Sequence, residues 1–208
     1  MYIPAHYRNE NLSEVKEFLE RNSFGILVSQ VAGRPWATHI PLELVTNENG
    51  KDLLLGHVSK ANPQWKHLGE SEHVLAIFNG PHSYISSSWY HKEEVPTWNY
   101  IAVHVYGKIK ILGAGALMES LHQLVDKYEA HSKNPVSLHN LSAKTLRQVN
   151  GIIGLEIEIT EIQAAYKLSQ GREEDHPKIL NSLEESGDPG AKGIATAMRN
   201  NTDRNPEN

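Results

Sequence analysis

The sequence predicts an antiparallel β-barrel with helices at its flanks. Three observations carry this. Long segments alternate apolar and polar residues with period two, as strands do when one face is buried. These segments follow one another directly, as antiparallel neighbours do. The regular strand–helix alternation of a parallel doubly wound sheet is missing.

The elements follow in order. Asn11 is the expected N-cap of a first helix, with Glu14 in the capping-box position and Leu12, Val15, Phe18 and Leu19 on one face. Phe24 to Val31 is a short apolar strand. Pro35 to Val45 is a second, with Trp36, Thr38, Ile40, Leu42 and Leu44 on one side. Asn49-Gly50 predicts a tight hairpin turn with both residues at positive φ, and Asp52 to Val58 is the return strand. Asn62-Pro63 opens a short helix carrying Trp65 and Leu68. Val74 to Phe78 is a strand closed by an Asn79-Gly80-Pro81 turn. Ile101, Val103, Val105, Ile109 and Ile111 share a face of a long strand, with Gly107 as its bend. Ala114 to Ala130 reads as a helix with Leu117, Leu121, Leu124, Val125 and Tyr128 inward, and Leu141 to Val149 as another. Ile153, Leu155, Ile157 and Ile159 mark a last strand that runs toward Tyr166. Two helical stretches, Glu173 to Glu185 and Ala191 to Arg199, are separated by Gly187-Asp188-Pro189-Gly190, and a polar, frayed tail follows. The expected division is a barrel domain over 1–170, a helical appendage over 171–200 and a tail over 201–208.

Composition narrows the function. The chain has 208 residues, 39% hydrophobic and 22% charged, which suits one globular domain with a small appendage. Its net charge of −5 lacks the overall basic footprint of a nucleic-acid or anionic-membrane binder. With no cysteine there are no disulfides, thiolate nucleophiles, Cys-ligated zinc or iron–sulfur clusters. No apolar run approaches a membrane span, and Met1-Tyr2-Ile3-Pro4 begins no signal peptide. A soluble, cytoplasmic protein without membrane contact is expected. No DNA-binding motif is visible, and Glu173, Glu174, Asp175, Glu184 and Glu185 make the last helices poor partners for phosphates.

Two stretches carry candidate chemistry. Gly56-His57-Val58-Ser59-Lys60-Ala61-Asn62-Pro63 takes a strand end into a helix start. Exposed backbone N–H groups, the dipole, a hydroxyl and the Lys60 ammonium would together suit a phosphate. Lys60 should dominate, because a charge-assisted hydrogen bond is worth ~1.5–3 kcal/mol against ~0.3–1 kcal/mol for the dipole. The plainer alternative, an Asn62 cap beside a solvated lysine, is the commoner use of such residues. The second stretch is Gly80 to Tyr90 with Val95 to Tyr100, rich in hydroxyls and aromatics. It suits a flat polar heterocycle, and equally a sheet edge or a subunit interface. The 12 histidines are scattered and form no metal-binding pattern, although a single haem-ligating histidine stays open.

Four segments together resemble a known family: Met1-Tyr2-Ile3-Pro4-Ala5-His6-Tyr7, His57 to Trp65, Gly80 to Tyr90 and Val95 to Tyr100. They look like the PaiB family, described as FMN-binding negative transcriptional regulators linked to protease synthesis and sporulation. Lys167-Leu168-Ser169-Gln170 with Arg172 is similar to its C-terminal motif, where His176 stands in place of an expected arginine. The resemblance implies a split β-barrel of the FMN-binding type, a homodimer, and FMN between the subunits. It implies a phosphate held by His57, Val58, Ser59 and Lys60 with Asn62 close by, and an isoalloxazine facing Thr38, His39 and Ile40. Trp98 and Tyr100, or the hydroxyls of Ser86, Ser87 and Ser88, would complete the site from the partner. The stretch after Arg34 has no further Lys or Arg, which departs from the oxidases of this fold. Two other readings remain: a flavin-dependent oxidoreductase of a small molecule, and a haem-binding or haem-degrading split barrel.

Overall fold

The computed structural model describes residues 1–69 and 73–204. Six strands form: β1 (Phe24–Val31), β2 (Arg34–Thr46), β3 (Asp52–Ser59), β4 (His73–Ile85), β5 (Thr97–Ile111) and β6 (Ile152–Lys167). They hydrogen-bond in the order β1-β2-β3-β6-β5-β4 and close as a barrel, so no strand is left with an open edge. The pairs β1–β2, β2–β3, β3–β6 and β1–β4 are antiparallel, as expected. Among the described residues five α-helices accompany the strands: α1 (Leu12–Arg21), α2 (Ala114–Glu129), α3 (Ala143–Leu146), α4 (His176–Glu185) and α5 (Pro189–Arg204).

The chain gathers into two compact units that interleave along the sequence. The first holds residues 16–78 and 104–162; the second holds 1–15, 79–103 and the residues from 163 onward. Helices α4 and α5 group with residues 1–15 and 79–103.

In the first unit the strand alternation becomes a core. Leu27, Leu42, Leu54, Val105, Leu155 and Ile157 are fully enclosed. Gly56 and Gly107 sit where strands press together. A Cβ on Gly107 would lie 2.5 Å from the Glu158 carbonyl oxygen, so β5 runs unbroken and its glycine serves close approach to β6 instead of the expected bend. The β1–β2 link is a two-residue turn with Ala32 (φ 50°) and Gly33 (φ 75°) both left-handed. The β2–β3 hairpin forms differently from the expected tight turn. Asn47 Oδ1 accepts from the N–H groups of Asn49 and Lys51, both at 3.0 Å, and Gly50 (φ 75°) is left-handed while Asn49 is not.

Helix α1 starts on its expected cap: Glu14 N–H donates to Asn11 Oδ1 (3.2 Å). The Asn11 N–H goes to Asn9 Oδ1 (2.9 Å), so Asn9 fills the role expected of Glu14. Val15, Phe18 and Leu19 are buried, whereas Leu12 is exposed. On α2, Leu117 and Leu121 are buried; Tyr128, expected inward, is exposed and its hydroxyl donates to Glu43 Oε1 (2.8 Å). The expected 141–149 helix is α3 followed by a 3-10 turn, Arg147–Gly151.

In the second unit, β4 runs straight through Asn79-Gly80-Pro81, where a turn was expected. Packing overrides the local turn preference: Gly193 of α5 presses on Pro81, leaving no room for a Cβ, which would sit 2.7 Å from the Pro81 Cβ. Pro189-Gly190 does not break the chain but starts α5, with Asp188 Oδ1 accepting from Gly190 N–H (3.0 Å). That helix continues to Arg204, so residues 200–204 of the expected frayed tail are helical; residues 205–208 lie outside the described ones.

Candidate functional site

The corner that follows β3 lies in the first unit. A five-residue 3-10 helix, Pro63–His67, begins there behind Asn62. Its anchor is Gln64, which is only 1% exposed. Gln64 Nε2 donates to Ser29 Oγ (2.9 Å) and the Leu27 carbonyl (3.3 Å), and Gln64 Oε1 accepts from Thr38 Oγ1 (2.6 Å). Asn62 Nδ2 donates to the same Thr38 hydroxyl (2.9 Å) while Asn62 Oδ1 accepts from Gln64 N–H (3.0 Å). A buried amide is tolerable only when satisfied in this way. The sequence gives Gln64 no evident role; its one local signal is its place two residues after a capping asparagine.

The expected cradle of free N–H groups is not there. Lys60 N–H donates to the Gly151 carbonyl (2.8 Å), Ala61 N–H to Ser59 Oγ (3.2 Å) and Asn62 N–H to the Ser59 carbonyl (3.0 Å). Gln64 N–H is taken by its cap, and Pro63 has none. A single 3-10 turn also carries little dipole. Two donors are left for an anion. The Lys60 ammonium is exposed and makes no ion pair among the described residues. The Ser59 hydroxyl, whose oxygen accepts from Ala61, keeps its own proton free.

The other expected residues divide by strand parity. Thr38, Ile40 and Val58 point inward: Thr38 is held in the Gln64 network, and Ile40 and Val58 are core residues. Their side chains are committed to packing. His57 shares the outer face of β3 with Ser59, but its ring faces α2 and lines a cavity of about 280 Å³ with Pro41, Leu55, Ser120 and Gln123. Burial lowers its pKa below the ordinary imidazole value. His39 points outward on β2 and stacks on Phe24, with ring centroids 6.5 Å apart.

His39 belongs to a broader open face. Across β2, β1 and β4, Ile26 lies between His39 and Ile77, and Val28 between Ala37 and Leu75. These apolar side chains are half-buried, and Phe24 beside them is 66% exposed. Thr38, the inward-pointing residue between Ala37 and His39 on β2, ties this strand to the corner through Asn62.

Ser87 and Trp98 belong to the second unit. Ser87 opens a 3-10 turn, Ser87–Trp89, capped by Ser86. Trp98 is exposed on β5 beside His82 and Tyr84, each with ring centroids 6.0 Å away. The C-terminal motif is a clasp within this unit. Lys167 donates to Thr97 Oγ1, Arg172 lies over the Tyr90 ring (4.4 Å) and pairs with Glu94 (3.3 Å), and Asn99 Nδ2 donates to Ser169 Oγ (2.8 Å). His176 Nε2 meets the Ser169 carbonyl at 2.9 Å, which gives the unexpected histidine a place. Asp175 accepts from His91 N–H (2.8 Å) and faces His91 Nδ1 (2.7 Å), a pair 84 residues apart that no sequence pattern signals.

Among the described residues no group of three or more His, Cys, Asp or Glu is placed to hold a metal ion. Among the described residues no helix is long and apolar enough to cross a membrane.

The profile of the family described as "Putative FMN-binding domain" matches residues 1–161. A curated relative from Bacillus subtilis, "Protease synthase and sporulation protein PAI 2", is 45% identical over 203 residues, covering 95% of this chain and 96% of its own. The chain belongs to this FMN-binding, PaiB-type family. Solved structures extend the likeness at the level of fold. A flavocytochrome from Azotobacter vinelandii superposes with a TM-score of 0.62 at 16% identity, covering 85% of this chain and 78% of that one. An FAD- and haem-binding protein from Mycobacterium smegmatis gives 0.61 at 16% identity, covering 81% and 78%. The residue types fit FMN: the corner offers an ammonium and a hydroxyl proton that suit one phosphate, and the same unit carries an apolar sheet face that suits one planar ring system.

Proposed function

We propose that this protein is a homodimeric, cytoplasmic flavoprotein that holds FMN at the Ser59–Lys60 corner and acts in regulation, like the relative named for protease synthesis and sporulation. The observation that carries the reading is the unpaired Lys60 ammonium beside the free Ser59 proton, in the unit that also presents the open β2–β1–β4 face. Lys60 neutralises a phosphate, Ser59 donates to it, and Asn62 keeps the corner in place through Thr38. Ala37 and His39, pointing outward from β2, offer the ring a surface, and a second copy of the chain covers the rest of that face. Bound FMN supplies reversible redox chemistry and a visible spectrum. The chain shows no DNA-reading element in its sequence, so regulation here works by sensing flavin or a metabolite, or through a partner, and not by strong direct DNA contact.

The test is Lys60→Ala. FMN affinity, followed by quenching of flavin fluorescence, should fall by about one to two decades, since ~1.4 kcal/mol is tenfold. The melting temperature without flavin should not move, because this ammonium has no partner among the described residues. An unchanged affinity refutes the assignment.

A further inference from the structure

We propose a second ligand site, independent of the flavin reading, that binds a small organic cation of the quaternary ammonium class. It is the cavity of about 340 Å³ in the second unit, walled by Tyr84, Trp89, Trp98 and His82 and bordered by Asp188. Tyr84 meets Trp98 edge-on at 71°, and His82 is tilted 38° to the same indole. Aromatic rings that line a recess offer a cation the negative charge of their faces. The charge agrees. Asp188 is the one carboxylate in the wall, and no lysine or arginine lines it. Asp188 Oδ1 accepts from Gly190 N–H at the start of α5, which leaves Oδ2 for a cation.

The alternating pattern of the strands explains why this surface exists. His82 and Tyr84 are outward positions of β4, and Trp98 is an outward position of β5. The aromatic and hydroxyl run that suits a heterocycle in sequence therefore becomes, in the folded unit, an open box with a negative rim.

The probe is choline, compared with its neutral isostere 3,3-dimethyl-1-butanol at matched ionic strength. Binding to the full-length protein is read by tryptophan fluorescence, since two of the 4 tryptophans line the cavity. Choline should bind saturably and at least about tenfold more tightly than the isostere. Trp98→Leu should abolish the choline response. Asp188→Asn keeps an oxygen to cap α5, so it should weaken choline several-fold without lowering the melting temperature. Equal affinity for the isostere overturns the proposal, as does wild-type choline binding by both variants. A repeat with saturating FMN separates the two readings. Undiminished choline binding supports a distinct site. Displacement of choline by FMN assigns the cavity to the flavin and overturns this proposal while leaving flavin binding intact.

Discussion

Replacing Gln64 by leucine tests whether the corner is built as described. Leucine keeps most of the volume, so little cavity is created. It removes three hydrogen bonds: to Ser29 Oγ, to the Leu27 carbonyl and from Thr38 Oγ1. Each is worth about 1 kcal/mol net, and a buried partner left unsatisfied costs ~1–3 kcal/mol. Thr38 retains Asn62 as a partner, whereas Ser29, 8% exposed, has no other partner within this network. The net loss is about 2–4 kcal/mol. For a chain of this size that lowers the melting temperature by roughly 5–15 °C. Circular dichroism melts on the flavin-free protein measure it directly, and FMN affinity should fall as well because the same network seats residues 59–62. Thr38→Val, which removes fewer bonds, should cost less. A Gln64→Leu protein melting within about 2 °C of the parent would show that the network does not anchor this corner.

Three further outcomes are expected. Gly107→Ala should destabilise by ~1–3 kcal/mol or more in chemical denaturation, because its Cβ would meet the Glu158 carbonyl and the Ile157 side chain at 2.5 Å each; parental stability would show that β5 and β6 are less closely apposed. Asp175→Asn should flatten the acid limb of the stability curve. The backbone and ring N–H groups of His91 hold the Asp175 carboxyl below the ordinary carboxylate pKa, so this contribution is present above the unfolded value near ~4 and disappears as pH falls through the folded one. Identical acid limbs by melting at stepped pH would contradict it. Phe24→Glu, placed on the open β2–β1–β4 face, should shift the proposed homodimer to monomer in light scattering, and a dimer unaffected by it would move the interface elsewhere.

Much of the fold can be read before any coordinates. Strand parity at Leu42, Val103, Val105, Leu155 and Ile157 predicts which side chains are enclosed, and those residues are fully buried. The cap at Asn11 and the start of a turn at Asn62 are equally legible, because a side-chain oxygen satisfying an N–H two or three residues on is a local event. Turn signals were weaker guides. Asn79-Gly80-Pro81 lies within β4 because α5, more than a hundred residues later in the chain, packs against it. The site shows the same limit. Lys60 was legible as a lone cation next to a hydroxyl. That Lys60, Ala61 and Asn62 spend their N–H groups on Gly151 and Ser59 was not, since the Gly151 partner is distant in sequence. His57 reads as a neighbour of Ser59, yet its ring is directed by α2 into a separate cavity.

Local alternation, capping and charge composition therefore determined the barrel, its helices and a single cationic corner, because these depend on residues a few positions apart. Which polar groups remain free for a ligand, and which distant segments meet, was decided only when the strands closed. Hydrogen bonds and packing between remote residues consume most donors at that step, and only the donors left over can bind anything else.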